Sequence, residues 1–192
     1  RWIVSLILAA IVGLYILMPI GFGVAAVYPA KQTVGGPPEG FQTVALQTDD
    51  GVALAAWYAP PTNGAAIILV HGAGGSRQEM RSHAQMLTRH GYGVLALDLR
   101  GFGESEGATN RFGWRGTSDI GAAVAYLQTR DEAQTIGGLG SSLGGEVLLG
   151  AASAYPAIRA IVADGATRRC VEELRALPSE RPLVRNFVAR VM

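Results

Sequence analysis

"TIGGLGSSLGGEVLL", Thr135 to Leu149, is the stretch on which the reading of this chain turns. An apolar run ending at Gly140 has the character of a strand. The run that follows Ser142 has the character of a helix. Between them lies Gly140-Ser141-Ser142-Leu143-Gly144. A strand that meets a helix across so short a turn forces the turn residue into a strained conformation and leaves its side chain exposed. Glycines two residues either side, Gly140 and Gly144, remove the side chains that would clash at the crossing. Ser142 is therefore the candidate nucleophile. The N-terminal amides of the helix favour negative charge developing beside it. The N–H of Leu143 is the expected first oxyanion donor.

Two other readings of these residues compete. Gly138-Leu139-Gly140 also follows a strand, as a dinucleotide fingerprint would. The third glycine should then stand at 143, which is leucine, and the only acidic candidate further on is Asp164. Alternatively the serine is incidental to a glycine-rich turn. No organic cofactor and no metal is expected.

Working outward, strand-like and helix-like segments alternate. "FQTVALQT" and "VALAAWYA" flank "DDG" and predict two strands joined by a tight turn. "AAIILVHG" and "YGVLALDL" are nearly continuous apolar runs, as expected of strands buried on both faces of a parallel sheet. Between them, Met80, Ala84 and Leu87 share one helical face, and Gly91 stands where a helix ends. "TSDIGAAVAYLQTR" predicts a helix with Ser118 as its N-cap. A helix is expected from about Ser142 to Ala154, and "AIRAIVADGA" predicts a further strand. The alternation predicts an α/β fold: a mostly parallel sheet with helices on both faces.

"HGAGGS", His71 to Ser76, follows the third strand. Its glycines let the backbone curl and aim N–H groups into a cavity, with the Ala73 amide as the expected second oxyanion donor. His71 is read as bracing this loop, and His83 and His90 as solvated residues of the following helix. In "DLRGFGES", Asp98 and Arg100 are read as fixing a tight turn opened by Gly101 and Gly103.

The chain has 192 residues, 49% of them hydrophobic and only 16% charged. No charged side chain occurs from Trp2 to Ala30. That run exceeds both the roughly 20 residues a bilayer span needs and the 7–15-residue apolar core of a cleavable signal peptide. Residues 1–30 are accordingly expected to form a single-pass membrane anchor, 31–40 a Gly/Pro-rich linker, and 41–192 one domain lying on the extracytoplasmic side. With Arg1 set apart the charges balance, and nothing suggests a nucleic-acid partner. One cysteine, Cys170, precludes an intramolecular disulfide. Leu183, Val184, Phe187, Val188 and Val191 form an apolar stripe, expected as a packed helix, a lid beginning in 167–192, or a membrane-surface helix.

"ILVHGAGGS", "GYGVLALDLRGFGES" and "GLGSSLGG", in that order and spacing, resemble the α/β-hydrolase superfamily. The resemblance is to membrane-anchored bacterial members similar to serine aminopeptidases and dienelactone hydrolases, and it covers about Phe41 to Gly165. It implies a three-layer sandwich around an eight-stranded sheet, of which strands one to six are expected here. It also implies a Ser-Asp/Glu-His triad in that chain order, with Ser142 as nucleophile and small-molecule or peptide acyl groups as substrates. In that pattern the acid follows strand seven and the histidine strand eight. No histidine follows Ser142 and the first residue is not Met, so a sequence incomplete at its C-terminus, inactive alone, is the expectation. Asp164 is a lesser candidate for the acid. The alternative is an anchored, non-catalytic binding or scaffold domain on the same fold.

Overall fold

The computed structural model describes residues 2–107 and 115–166. A long N-terminal helix comprises α1 (Trp2–Val12), a π-helical turn (Gly13–Leu17) and α2 (Met18–Val27). Its span Trp2–Val24 is the one helix among the described residues long and apolar enough to cross a membrane, and none of it is buried against the rest of the protein.

After the short strand β1 (Ala30–Lys31) come β2 (Gln42–Gln47), β3 (Ala53–Ala59), β4 (Ala65–Val70), α3 (Arg81–Arg89), β5 (Gly93–Leu97) and β6 (Phe102–Gly103). Then follow α4 (Gly116–Gln128), β7 (Thr135–Ser141), α5 (Leu143–Ala151) and β8 (Ile158–Asp164). The main sheet has the order β2-β3-β5-β4-β7-β8. β2 and β3 run antiparallel to each other, and β3 antiparallel to β5; β5, β4, β7 and β8 run parallel.

The apolar runs form buried strands because each strand sends alternate side chains to opposite faces. From β4 and β5, Ile68, Val70, Leu95 and Leu97 pack with Ile120, Val124 and Leu127 of α4 and Val147 and Leu148 of α5. Leu69, Val94 and Ala96 turn the other way, onto Met80 and Ala84. Burying each large aliphatic side chain contributes about 1.5–3 kcal/mol, and both faces of these strands gain it. This produces the expected three layers. β8 lies at the sheet edge, where Val162 is 58% exposed.

Two local expectations are corrected. Ser118 is not the N-cap of α4. The helix begins at Gly116, with Arg115 in the cap position and no side-chain cap. A Cβ on Gly116 would come within 2.7 Å of Val147, so this glycine lets the first turn close onto α5, and that packing sets the start. His83 is half-buried rather than solvated, with Nδ1 shielded from water and unpartnered. The buried side of α3 is wider than the apolar stripe, taking in Thr88 as well as Ala84 and Leu87. Its entry is a 3-10 turn, Arg77–Met80, and its exit is Gly91 at φ 83°. The stripe from Leu183 to Val191 lies outside the described residues.

Candidate active site

β4, β5, β7 and β8 are parallel, so their C-terminal ends gather at one end of the sheet. Three motif loops meet there. Ser142 joins β7 to α5 with φ 48° and ψ −115°, the one non-glycine residue at positive φ among those described. Such a conformation costs about 1–3 kcal/mol and persists only where the surroundings impose it. Here they do. The Ser142 N–H donates to the Asp164 carbonyl at 2.7 Å, and its own carbonyl accepts from Glu146 N–H at 3.1 Å, opening α5. A Cβ on Gly140 would overlap the backbone of Gly144 and Gly145, and one on Gly144 would overlap the Val70 and His71 carbonyls. The two glycines are thus steric requirements of the crossing. Ser142 itself is exposed.

Gly72 lies against Ser142: a Cβ there would be 3.7 Å from that of the serine. The loop turns at Gly72–Gly75, closed by a 3.2 Å bond from Gly75 N–H to the Gly72 carbonyl. Among the described residues, the Ala73 and Leu143 amides, both named as oxyanion donors, donate to no backbone acceptor. Leu143 N–H is one of the first-turn amides that a helix leaves without an internal partner.

His71 is fully buried with both ring nitrogens engaged. Nε2 accepts from Leu99 N–H at 3.1 Å, so Nδ1 carries the hydrogen and donates to the Gly72 carbonyl at 2.7 Å. Burial lowers its pKa, against the pull of the Gly72 carbonyl and of Asp98, and the ring is neutral. It braces the loop and has no nitrogen left to serve Ser142. His90 bonds the Met86 carbonyl of its own helix. Asp164 pairs in register with Ser141, next to the turn.

Arg77, Asp119 and Asp50 are the residues the motif reading overlooked. Asp98, fully buried, accepts from the Arg77 N–H at 2.6 Å, the Arg77 guanidinium, and Glu104 N–H at 2.9 Å. Arg77 is 1% exposed, also reaches Glu104, and stacks 5.1 Å from the ring centroid of buried Trp57, with Arg81 5.0 Å from the same ring. One turn further, Arg100 bonds buried Asp119 through Nε at 2.7 Å and holds Asp50 bidentately at 2.6 and 2.9 Å. Asp98 and Arg100 thus fix the turn, as read from the motif. Nothing local in the sequence marks Arg77, Asp119 or Asp50, because the partners they meet lie 19 to 50 residues away along the chain. Among the described residues no group of three or more His, Cys, Asp or Glu could hold a metal ion.

This sheet order, with a strained serine turn after its fifth strand and a glycine loop after its third, defines an α/β-hydrolase. Residues 61–192 match the family model described as serine aminopeptidase, S33, and the chain belongs to that family of hydrolases. It is 29% identical over 149 residues to the uncharacterized protein YfhR of Salmonella typhi, covering 73% of this chain and 50% of that one. It is 32% identical over 118 residues to the uncharacterized protein Rv2307c of Mycobacterium tuberculosis, covering 59% and 41%. The chain thus spans about half the length of these curated relatives. Among solved structures, the Pyrococcus furiosus esterase Pf2001 superposes with a TM-score of 0.69 at 29% identity, over 73% of this chain and 56% of that one.

Proposed function

We propose that this chain is the nucleophile-bearing part of a membrane-anchored serine hydrolase acting on ester, amide or thioester bonds. The observation that carries the reading is the strained, exposed Ser142 at the start of α5, beside two amides that no backbone acceptor among the described residues takes up. Esterase structures among its likenesses support the same class. In this reading Ser142 Oγ attacks the carbonyl carbon and a base takes its proton. The Ala73 and Leu143 amides receive the negative oxygen. The bond to the leaving group breaks as the base returns the proton, and water then repeats the sequence on the acyl-serine to release the acid. His71 is fully engaged and is not the base; Asp164, beside the turn, is the lesser candidate for the acid. Residues 1–30 serve as the anchor and 41–192 as the hydrolase domain, on the extracytoplasmic side. The substrate is a small-molecule or peptide acyl compound.

The test is labelling of the full-length protein with a fluorophosphonate probe. Labelling that disappears in Ser142→Ala is expected. A folded protein that the probe ignores, or labelling that survives the substitution, would overturn the reading and favour the scaffold alternative.

A further inference from the structure

The segment that leaves the N-terminal helix is not a loose tether. Only Tyr28 and Pro29 separate α2 from β1, so Ala30 lies within roughly 11 Å of the helix end. β1 pairs in parallel with β6, Ala30 opposite Phe102 and Lys31 opposite Gly103. Gln32 N–H donates to the Gly103 carbonyl at 3.2 Å, and Lys31 Nζ donates to the Ser105 carbonyl. Val34, 8% exposed, donates its N–H to Glu104 at 3.2 Å, and the Gly36 carbonyl accepts from Arg81. The chain is therefore bonded to the domain from Ala30 to Gly36.

The place of attachment matters. β6 lies beyond the C-terminal end of β5, the end of the sheet that carries Ser142 and the Gly72–Ala73 loop. The path between them is short. The Phe102 ring stands 5.2 Å from that of His71, His71 holds the Gly72 carbonyl, and Gly72 abuts Ser142. At the other side of β1, the 23 residues Trp2–Val24 rise about 35 Å as a helix, enough for the ~30 Å hydrocarbon core. Tyr28, 63% exposed, then falls at the headgroup level that aromatic residues favour.

We propose that β1 docks the anchor onto the active-site end of the sheet, so that the mouth beside Ser142 faces the bilayer surface and the substrate is an amphiphilic acyl ester taken from that membrane. This rests on the anchored-hydrolase reading and adds the substrate class and its route of entry.

The experiment uses the full-length protein in phosphatidylcholine–phosphatidylglycerol vesicles. About 20 Gly/Ser residues inserted between Tyr28 and Pro29 leave β1 intact and add ~25 Å of slack. Hydrolysis of vesicle-borne 4-nitrophenyl palmitate should fall about tenfold as effective concentration drops, while hydrolysis of water-soluble 4-nitrophenyl acetate is unchanged. Equal effects on the two esters, or none on either, overturn the proposal. A second readout needs no activity. In a Cys170→Ser background, a dye on Gln78→Cys, at the active-site end, should be quenched by headgroup-spin-labelled lipid more strongly than one on Asp131→Cys, at the opposite end. Equal or reversed quenching overturns the proposal even where fluorophosphonate labelling succeeds. Failure of the hydrolase reading shows instead as unlabelled Ser142, with the quenching still reporting which end faces the membrane.

Discussion

Two neighbouring regions at the C-terminal end of the parallel strands are held in opposite ways. The turn at Ser142 is built from backbone: a strained residue, glycines with no room for a methyl, and one hydrogen bond to the edge strand β8. The turn after β5 is built from side chains, with Arg77, Asp98 and Glu104 in one cluster and Arg100, Asp119 and Asp50 in another. The first keeps the Ser142 hydroxyl in the open at a cost in stability. The second buries charge to keep the glycine loop and the β5 turn in a single arrangement. The division implies different responses to substitution: steric in the first, electrostatic in the second.

The largest effect is expected at Gly144. A methyl there would stand 2.7 Å from the His71 oxygen and closer still to that of Val70, both main-chain atoms at the end of β4. Neither can move without displacing the strand that carries the Ala73 loop. Gly144→Ala should cost roughly 3–5 kcal/mol, at the upper end for a single substitution, seen as a collapse of the urea midpoint. Next is Asp98→Ala, which leaves the Arg77 guanidinium buried beside Trp57 with Glu104 as its one carboxylate partner among the described residues. Removing one member of a buried pair costs about 3–5 kcal/mol, and the retained Glu104 contact puts this variant at the lower end. If Gly144→Ala proved the milder of the two, the crossing would not be the tight point of the site.

A smaller effect of opposite sign sharpens the contrast. Ser142→Gly should remove probe labelling yet raise stability by about 1 kcal/mol, because glycine adopts positive φ without strain. A fall in the urea midpoint would mean that the serine side chain is held by packing, which no backbone account of the turn allows.

The backbone-built region was legible in the sequence and the side-chain-built region largely was not. Gly140, Ser142 and Gly144 stand within five residues, so their spacing states the geometry directly. The continuous apolar runs of β4 and β5 likewise announced strands buried on both faces. Arg77 looks like any charged residue at the start of a surface helix, because nothing local says that Asp98 will close over it. Asp50 and Asp119 converge on Arg100 only through the fold. The β1–β6 pairing was hidden for the same reason: two-residue strands carry no periodicity, and "KQTVGGPPEG" has the composition of a free linker.

The smallest expected effect lies within the Arg100 cluster, where the two carboxylates respond oppositely to pH. Hydrogen bonds from Arg100, then from Thr48, hold the Asp50 carboxyl well below the usual carboxylate range. A depressed folded pKa contributes stability that is present above the unfolded value near ~3.9 and is lost as pH falls through the folded one. Burial pushes the Asp119 carboxyl up, although Arg100's backbone N–H and guanidinium oppose the shift. A raised carboxylate pKa works the other way, so stability is given up as pH rises through the window between the unfolded and folded values. Asp50→Asn should therefore flatten the acid limb of the stability curve below about pH 4, and Asp119→Asn should steepen the curve just above it. The Asp50 side chain is 44% exposed, so screening by water limits its contribution to about 0.5 kcal/mol. Urea midpoints taken between acid and neutral pH would resolve the two slopes. Slopes that changed in the same direction would mean that burial does not govern Asp119, and that this cluster is held as openly as the serine turn it stands beside.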